Sequence, residues 1–172
     1  TMGEGVRVRK SGTNNQPRFG VSVTDGGGFL TIAVAANEKP TVIEENTGGG
    51  IAVGGPSGIS IKGVPGANPD QGSVVLMQNG GPGLQIGQGG TVAIPVPLAS
   101  DIDGLVSYGN GTIKPPGASG IRVTWTSKVK IRNSVTLANS NHGIHVAPVL
   151  NVAVGATVGV DLGSAGDGHN TV

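Results

Sequence analysis

The chain has 172 residues with a formal net charge of +1; 36% are hydrophobic, 12% charged and 2% aromatic. That length can hold one domain with a real core, and the near-neutral balance excludes global steering toward nucleic acid or membrane. With no Cys, disulfides and thiolate zinc sites are excluded, and no apolar run approaches the roughly 18 residues of a membrane span.

Low charge beside abundant Val and Ile argues for order rather than disorder, and for strands rather than helices. The 33 glycines imply long turn-rich connections. So few aromatic residues leave a thin core, and burial against copies of the chain or against a partner is the expected remedy. Thr1-Met2-Gly3-Glu4 does not read as a signal peptide.

In chain order, residues 1–18 read as an extended N-terminal arm in which Val6 and Val8 alternate with Arg7 and Arg9. A single all-β domain is expected over 19–162. Phe19, Val21 and Val23 alternate, and Asp25-Gly26-Gly27-Gly28 reads as a hairpin turn into Leu30, Ile32 and Val34. Residues 47–90 form a Gly-rich insert with apolar islands at 51–53, 59–61, 74–77 and 84–86, read as short strands with broad turns. Val92, Ile94, Val96 and Leu98 alternate with Pro95 and Pro97 on the other parity, as on an edge strand. Ile102-Asp103-Gly104-Leu105 reads as a second hairpin, and Gly109 to Gly120 as a loop containing Pro115-Pro116.

The longest patterned stretch runs from Ile121 to Leu137. Its odd positions are mostly apolar and include Trp125, expected to anchor the core; its even positions are polar or basic. The stretch is too long for one strand and should bend near Ser127 or Asn133. A last ribbon places Val146, Pro148, Leu150, Val152, Val154, Val158, Val160 and Leu162 on even parity, and 163–172 reads as a mobile tail. The fold expected from these elements is an antiparallel sandwich or barrel with long Gly-rich loops. The alternative is a β-helix or β-solenoid, for which Ser134 to Val146 has the texture of one rung, although no fixed period recurs elsewhere.

Catalytic and cofactor motifs are not found. Gly49 to Gly54 has P-loop spacing, but Gly55-Pro56 stands where Lys and Ser or Thr belong. Asp101-Ile102-Asp103-Gly104 resembles part of a calcium loop without its chelating Glu. His142 and His145 would face opposite ways on a strand, and only a turn could make them converge. Ser60 lacks an elbow motif, and Glu44-Glu45 are neighbours rather than a positioned acid/base pair. A non-enzymatic protein with no catalytic residue, cofactor or metal is therefore expected. The site-like features are the arm residues Val6, Arg7, Val8 and Arg9, able to add a strand to a partner, and the basic stripe Arg122, Lys128, Lys130 and Arg132. Without aromatic stacking platforms that stripe suits an acidic protein surface better than nucleic acid.

Thr91 to Tyr108, with its Val-rich strands around Asp101-Ile102-Asp103-Gly104, resembles small bacteriophage capsid decoration (cement, head-stabilising) proteins, as do Phe19 to Gly28 and Ala153 to Leu162. The resemblance implies a homotrimer on the outer capsid surface of a virion, binding the major capsid protein and stabilising the shell, without nucleic acid or membrane partners. The alternative is a segment of a tail fibre, spike or adhesin with glycan-binding loops.

Overall fold

The computed structural model describes residues 1–13, 15–24, 28–54, 57–65, 70–87, 99–112, 118–124, 128–147, 159–163 and 170–172. Within them the strands are β1 Arg7–Arg9, β2 Gly12–Thr13, β3 Gln16–Pro17, β4 Phe19–Val23, β5 Phe29–Ala33, β6 Thr41–Glu44, β7 Gly49–Val53, β8 Gly58–Lys62 and β9 Val74–Met77. They continue as β10 Leu84–Ile86, β11 Ser100–Asp103, β12 Leu105–Tyr108, β13 Ile121–Thr124, β14 Lys128–Arg132, β15 Val135–Leu137, β16 Ile144–Ala147 and β17 Gly159–Asp161.

Three sheets of five strands each are formed: sheet I is β1-β6-β9-β12-β15, sheet II is β4-β7-β10-β13-β16 and sheet III is β5-β8-β11-β14-β17. Every pairing within them is parallel, and the chain visits I, II and III in turn before starting the next rung. This is a β-solenoid of about four turns. The expected antiparallel sandwich or barrel is thereby overturned, and the β-helix alternative fits; the described antiparallel pair is the small β2–β3 ribbon.

Alternation with period two reports that one strand face is buried, whatever the direction of its neighbour. A turn residue can mark a corner as readily as a reversal. Asp103-Gly104-Leu105 joins β11 in sheet III to β12 in sheet I, with Gly104 at φ 68° as a single left-handed residue that redirects the chain without reversing it. β4 and β5 likewise lie in different sheets, so neither pair forms a hairpin.

Inside, identical positions stack rung upon rung. Sheet II contributes Val21, Ile51, Leu84, Ile121 and Ile144 in one column and Val23, Val53, Ile86 and Val123 in the next, which ends at Val146, 48% exposed. Sheet III adds Ile32, Ile61, Ile102 and Ile131, each fully buried. β-Branched side chains suit such columns, because each one packs on its own kind about 4.8 Å away. The core is thin in cross-section but continuous along the axis, so aliphatic residues fill it without aromatic bulk.

The stretch from Ile121 to Leu137 is divided among β13, β14 and β15; the expected bend near Ser127 lies outside the described residues, and Asn133 stands between β14 and β15. Ile121, Val123, Val129 and Ile131 are buried, but Asn133 takes φ 48° and inverts the parity. Thr136 is then buried, while Leu137 is 46% exposed. A single left-handed residue thus turns an unbroken sequence pattern inside out.

Between sheets I and II every rung turns in the same way. Lys10, Glu45, Gln78, Gly109 and Ala138 are all left-handed, with φ between 51° and 60°. The following residues Asn46, Asn79, Asn110 and Asn139 form a ladder. Asn46 Nδ2 donates to Asn79 Oδ1 at 3.0 Å, Asn79 Nδ2 to Asn110 Oδ1 at 2.9 Å, and Asn110 Nδ2 to Asn139 Oδ1 at 3.0 Å. Each lower backbone N–H donates to the same oxygen, at 3.1, 3.2 and 3.0 Å. Left-handed non-glycine residues are uncommon, and here the ladder on one side and the sheet on the other hold them.

Several expectations lie outside the described residues: the core role of Trp125, the alternating strand at 92–98, the Pro115-Pro116 loop, the ribbon over 148–158 and most of the tail. Of that tail, Thr171 bridges to Val135 in parallel, and Asn170 Nδ2 donates to the carbonyls of Ile131 and Leu162.

Candidate functional site

A solenoid offers its side faces, and the three sheets present three different ones. Outward positions of sheet III carry charges of alternating sign. Lys62, Asp103 and Arg132 stack in one column, and Asp101, Lys130 and Asp161 in the next. Opposite charges thus occupy neighbouring register positions on strands about 4.8 Å apart. Arg132 is only 9% exposed and donates to Asp161 Oδ2 at 2.5 Å and to the Asp161 carbonyl at 2.8 Å.

The basic stripe read from the sequence is therefore divided. Lys128, Lys130 and Arg132 lie on sheet III, with Lys130 and Arg132 beside acidic neighbours, whereas Arg122 lies on sheet II. Those partners come from strands one turn away, and no local window displays them.

Hydrogen bonding to Arg132, and then to the Gly163 N–H, holds the Asp161 carboxyl below its ordinary value. A depressed folded value means that the contribution is present above the unfolded carboxylate pKa, about 3.9, and is lost as pH falls through the folded one. Asp161→Asn should accordingly flatten the fall in urea midpoint at the acid end of a titration from about pH 6 to pH 2. An unchanged profile would show that the bridge contributes nothing to folding.

The arm residues belong to the first rung. β1 pairs in parallel with β6, Val8 packs against the core, and the Val6 carbonyl accepts from the Val42 N–H at 2.8 Å. Arg7 donates to Glu44 Oε1 at 2.9 Å and Arg9 to Glu45 Oε2 at 2.8 Å. The main-chain pairing foreseen for a partner is made within the chain itself.

Sheet I turns uncharged side chains outward over most of its height. Val42, Val75, Val106 and Val135 form one column above Arg7, with Val42 and Val75 buried; Met77, Tyr108 and Leu137 continue the next above Arg9 and Glu44. Tyr108 and Leu137 are register neighbours, each 46% exposed.

Sheet II stacks Ser22, Ala52, Gln85, Arg122 and His145 on its outer face. The corner at Gly143 makes the two histidines converge, and the rings of His142 and His145 stack with centroids 5.0 Å apart. Among the described residues no cluster of three or more His, Cys, Asp or Glu could hold a metal. Arg122 has its Nε shielded from solvent with no hydrogen-bond partner. Sequence reading singled out Arg122, His142 and His145 separately; their juxtaposition, and the part of Gln85, follow from register alone.

No family model matches this chain, and no curated protein or solved structure matches it either. The class of protein is defined by its architecture: a parallel, three-sheet β-solenoid.

Proposed function

We propose that this chain is a rigid segment of a fibre, spike or adhesin that self-associates through sheet I and presents glycan-binding surface on its sides. The observation that carries this reading is the parallel solenoid itself. Each rung contacts only its neighbours, so the architecture makes stiff supports with long lateral faces. A separate observation supports self-association. The sheet I face pairs exposed Tyr108 with Leu137 and carries no charge on β9, β12 and β15. Symmetry brings identical residues together, and an uncharged apolar face can meet its copies without like-charge repulsion. The scarce charge points the same way. No catalytic role is assigned.

Sedimentation velocity tests the reading. The expected mass is that of a homotrimer, falling to a single chain in a Tyr108→Lys/Leu137→Lys double variant whose circular dichroism is unchanged. Both positions face outward at the edge of the apolar columns, so the two lysines should cost little folding stability, within about 1 kcal/mol. A wild-type monomer at all concentrations would overturn self-association, and failure to bind any of a panel of glycans would overturn the glycan-binding surface. Binding to phage shells that lack the protein would instead favour capsid decoration.

A further inference from the structure

We propose that the outer face of sheet II binds the carboxylate of an acidic oligosaccharide, with Arg122 as the anchoring residue and Gln85, His145 and His142 flanking it. This rests on the glycan-binding reading above and names the chemical class of ligand. Of the five arginines, Arg7, Arg9 and Arg132 are committed to carboxylates of this chain, and Arg18 is exposed. Arg122 is half-buried in the middle of a sheet face, and no described residue accepts from its guanidinium. A shielded guanidinium N–H without an acceptor is unfavourable in the free protein, and a ligand oxygen relieves it. The planar guanidinium fork matches a carboxylate by two parallel hydrogen bonds, which a point-like ammonium cannot reproduce.

Its surroundings fit a sugar rather than a bare ion. Gln85 lies one rung below and His145 one rung above, so donors and acceptors recur about every 4.8 Å along the solenoid axis. The stacked rings of His142 and His145 add a planar surface beside them. No acidic side chain shares this column: its members are Ser22, Ala52, Gln85, Arg122 and His145. An anion therefore meets no repulsion along it.

Isothermal titration of the full chain tests the site with three probes: an oligosaccharide containing hexuronic acid, its carboxyl-reduced neutral counterpart, and inorganic sulfate. The acidic oligosaccharide should bind at least about tenfold more tightly than the neutral one, as expected for a charge-assisted bidentate pair. Arg122→Gln should remove that preference with the thermal midpoint unchanged, and Arg122→Lys should retain part of it. Equal binding of acidic and neutral sugars, or an Arg122→Gln variant that binds as the wild type does, would overturn the site. Sulfate binding that depends on Arg122, without saccharide binding, would overturn the sugar assignment. A self-associating chain that ignores the acidic sugar would sink this proposal and leave the support role standing; a monomer that binds it through Arg122 would do the reverse.

Discussion

Asn79→Ala is expected to lower folding stability by about 3–5 kcal/mol, because it leaves two buried main-chain groups without partners at about 1–3 kcal/mol each and breaks the ladder between them. Asn79 is fully buried. Its Oδ1 accepts from the Asn46 N–H at 3.1 Å and from Asn46 Nδ2 at 3.0 Å. Its Nδ2 donates to the Ile43 carbonyl at 3.1 Å and to Asn110 Oδ1 at 2.9 Å. Alanine offers none of these, and the left-handed Gln78 beside it loses what holds its φ at 53°. Against a total stability of about 5–15 kcal/mol such a loss is severe, and at roughly 2–4 °C per kcal/mol the thermal midpoint should fall by about 6–20 °C. Asn139→Ala is the internal comparison. Asn139 is only partly buried and its Nδ2 makes a longer 3.3 Å bond to the Ser107 carbonyl, so its loss should cost clearly less. Equal midpoints for the two variants in urea would refute the ladder as a cooperative element.

Gly83→Ala is expected to be comparably damaging although it adds one methyl group. A Cβ at Gly83 would stand 2.7 Å from the Gly120 carbonyl oxygen, 2.9 Å from Asn110 Nδ2 and 2.5 Å from Ser107 Oγ. Two of those atoms belong to the sheet and the ladder, and neither can move alone. Overpacking typically costs about 1–3 kcal/mol, and displacing Asn110 adds part of a ladder rung, so a loss of roughly 3 kcal/mol is expected. The control is Gly3→Ala, where a Cβ meets nothing within 4 Å. There the substitution should be neutral or stabilise by up to about 1 kcal/mol through the unfolded chain. Denaturant midpoints for both variants decide the matter, and a tolerated Gly83→Ala would show that the rungs can separate.

Asn and Gly at each corner show how the repeat is spread along the sequence. Gly follows Asn by four positions in three rungs, at Asn46 and Gly50, Asn79 and Gly83, and Asn139 and Gly143; each Gly precedes Ile51, Leu84 or Ile144. In the fourth rung Asn110 and Gly120 are separated by extra residues. The ladder steps are 33, 31 and 29 residues, so a search for a fixed period passes over them. Variable corners dilute the repeat while the stacked positions keep it. Ser134 to Val146 carries the undiluted form.

By itself the sequence determined that the chain is all-β, which positions of β4, β5, β13 and β14 face inward, and that the long stretch breaks near Asn133. Those properties are local: alternation, β-branching and turn residues act within a few positions. Tertiary structure alone decided that the strands run parallel, that Val135 and Leu137 turn outward after Asn133, and that Lys130 and Arg132 meet Asp101, Asp103 and Asp161 while Arg122 meets His145. Each of these depends on which residue lies one rung away. That neighbour is set by the length of the intervening corners and by the direction in which single left-handed residues send the chain, and neither is written in the period-two pattern of any strand.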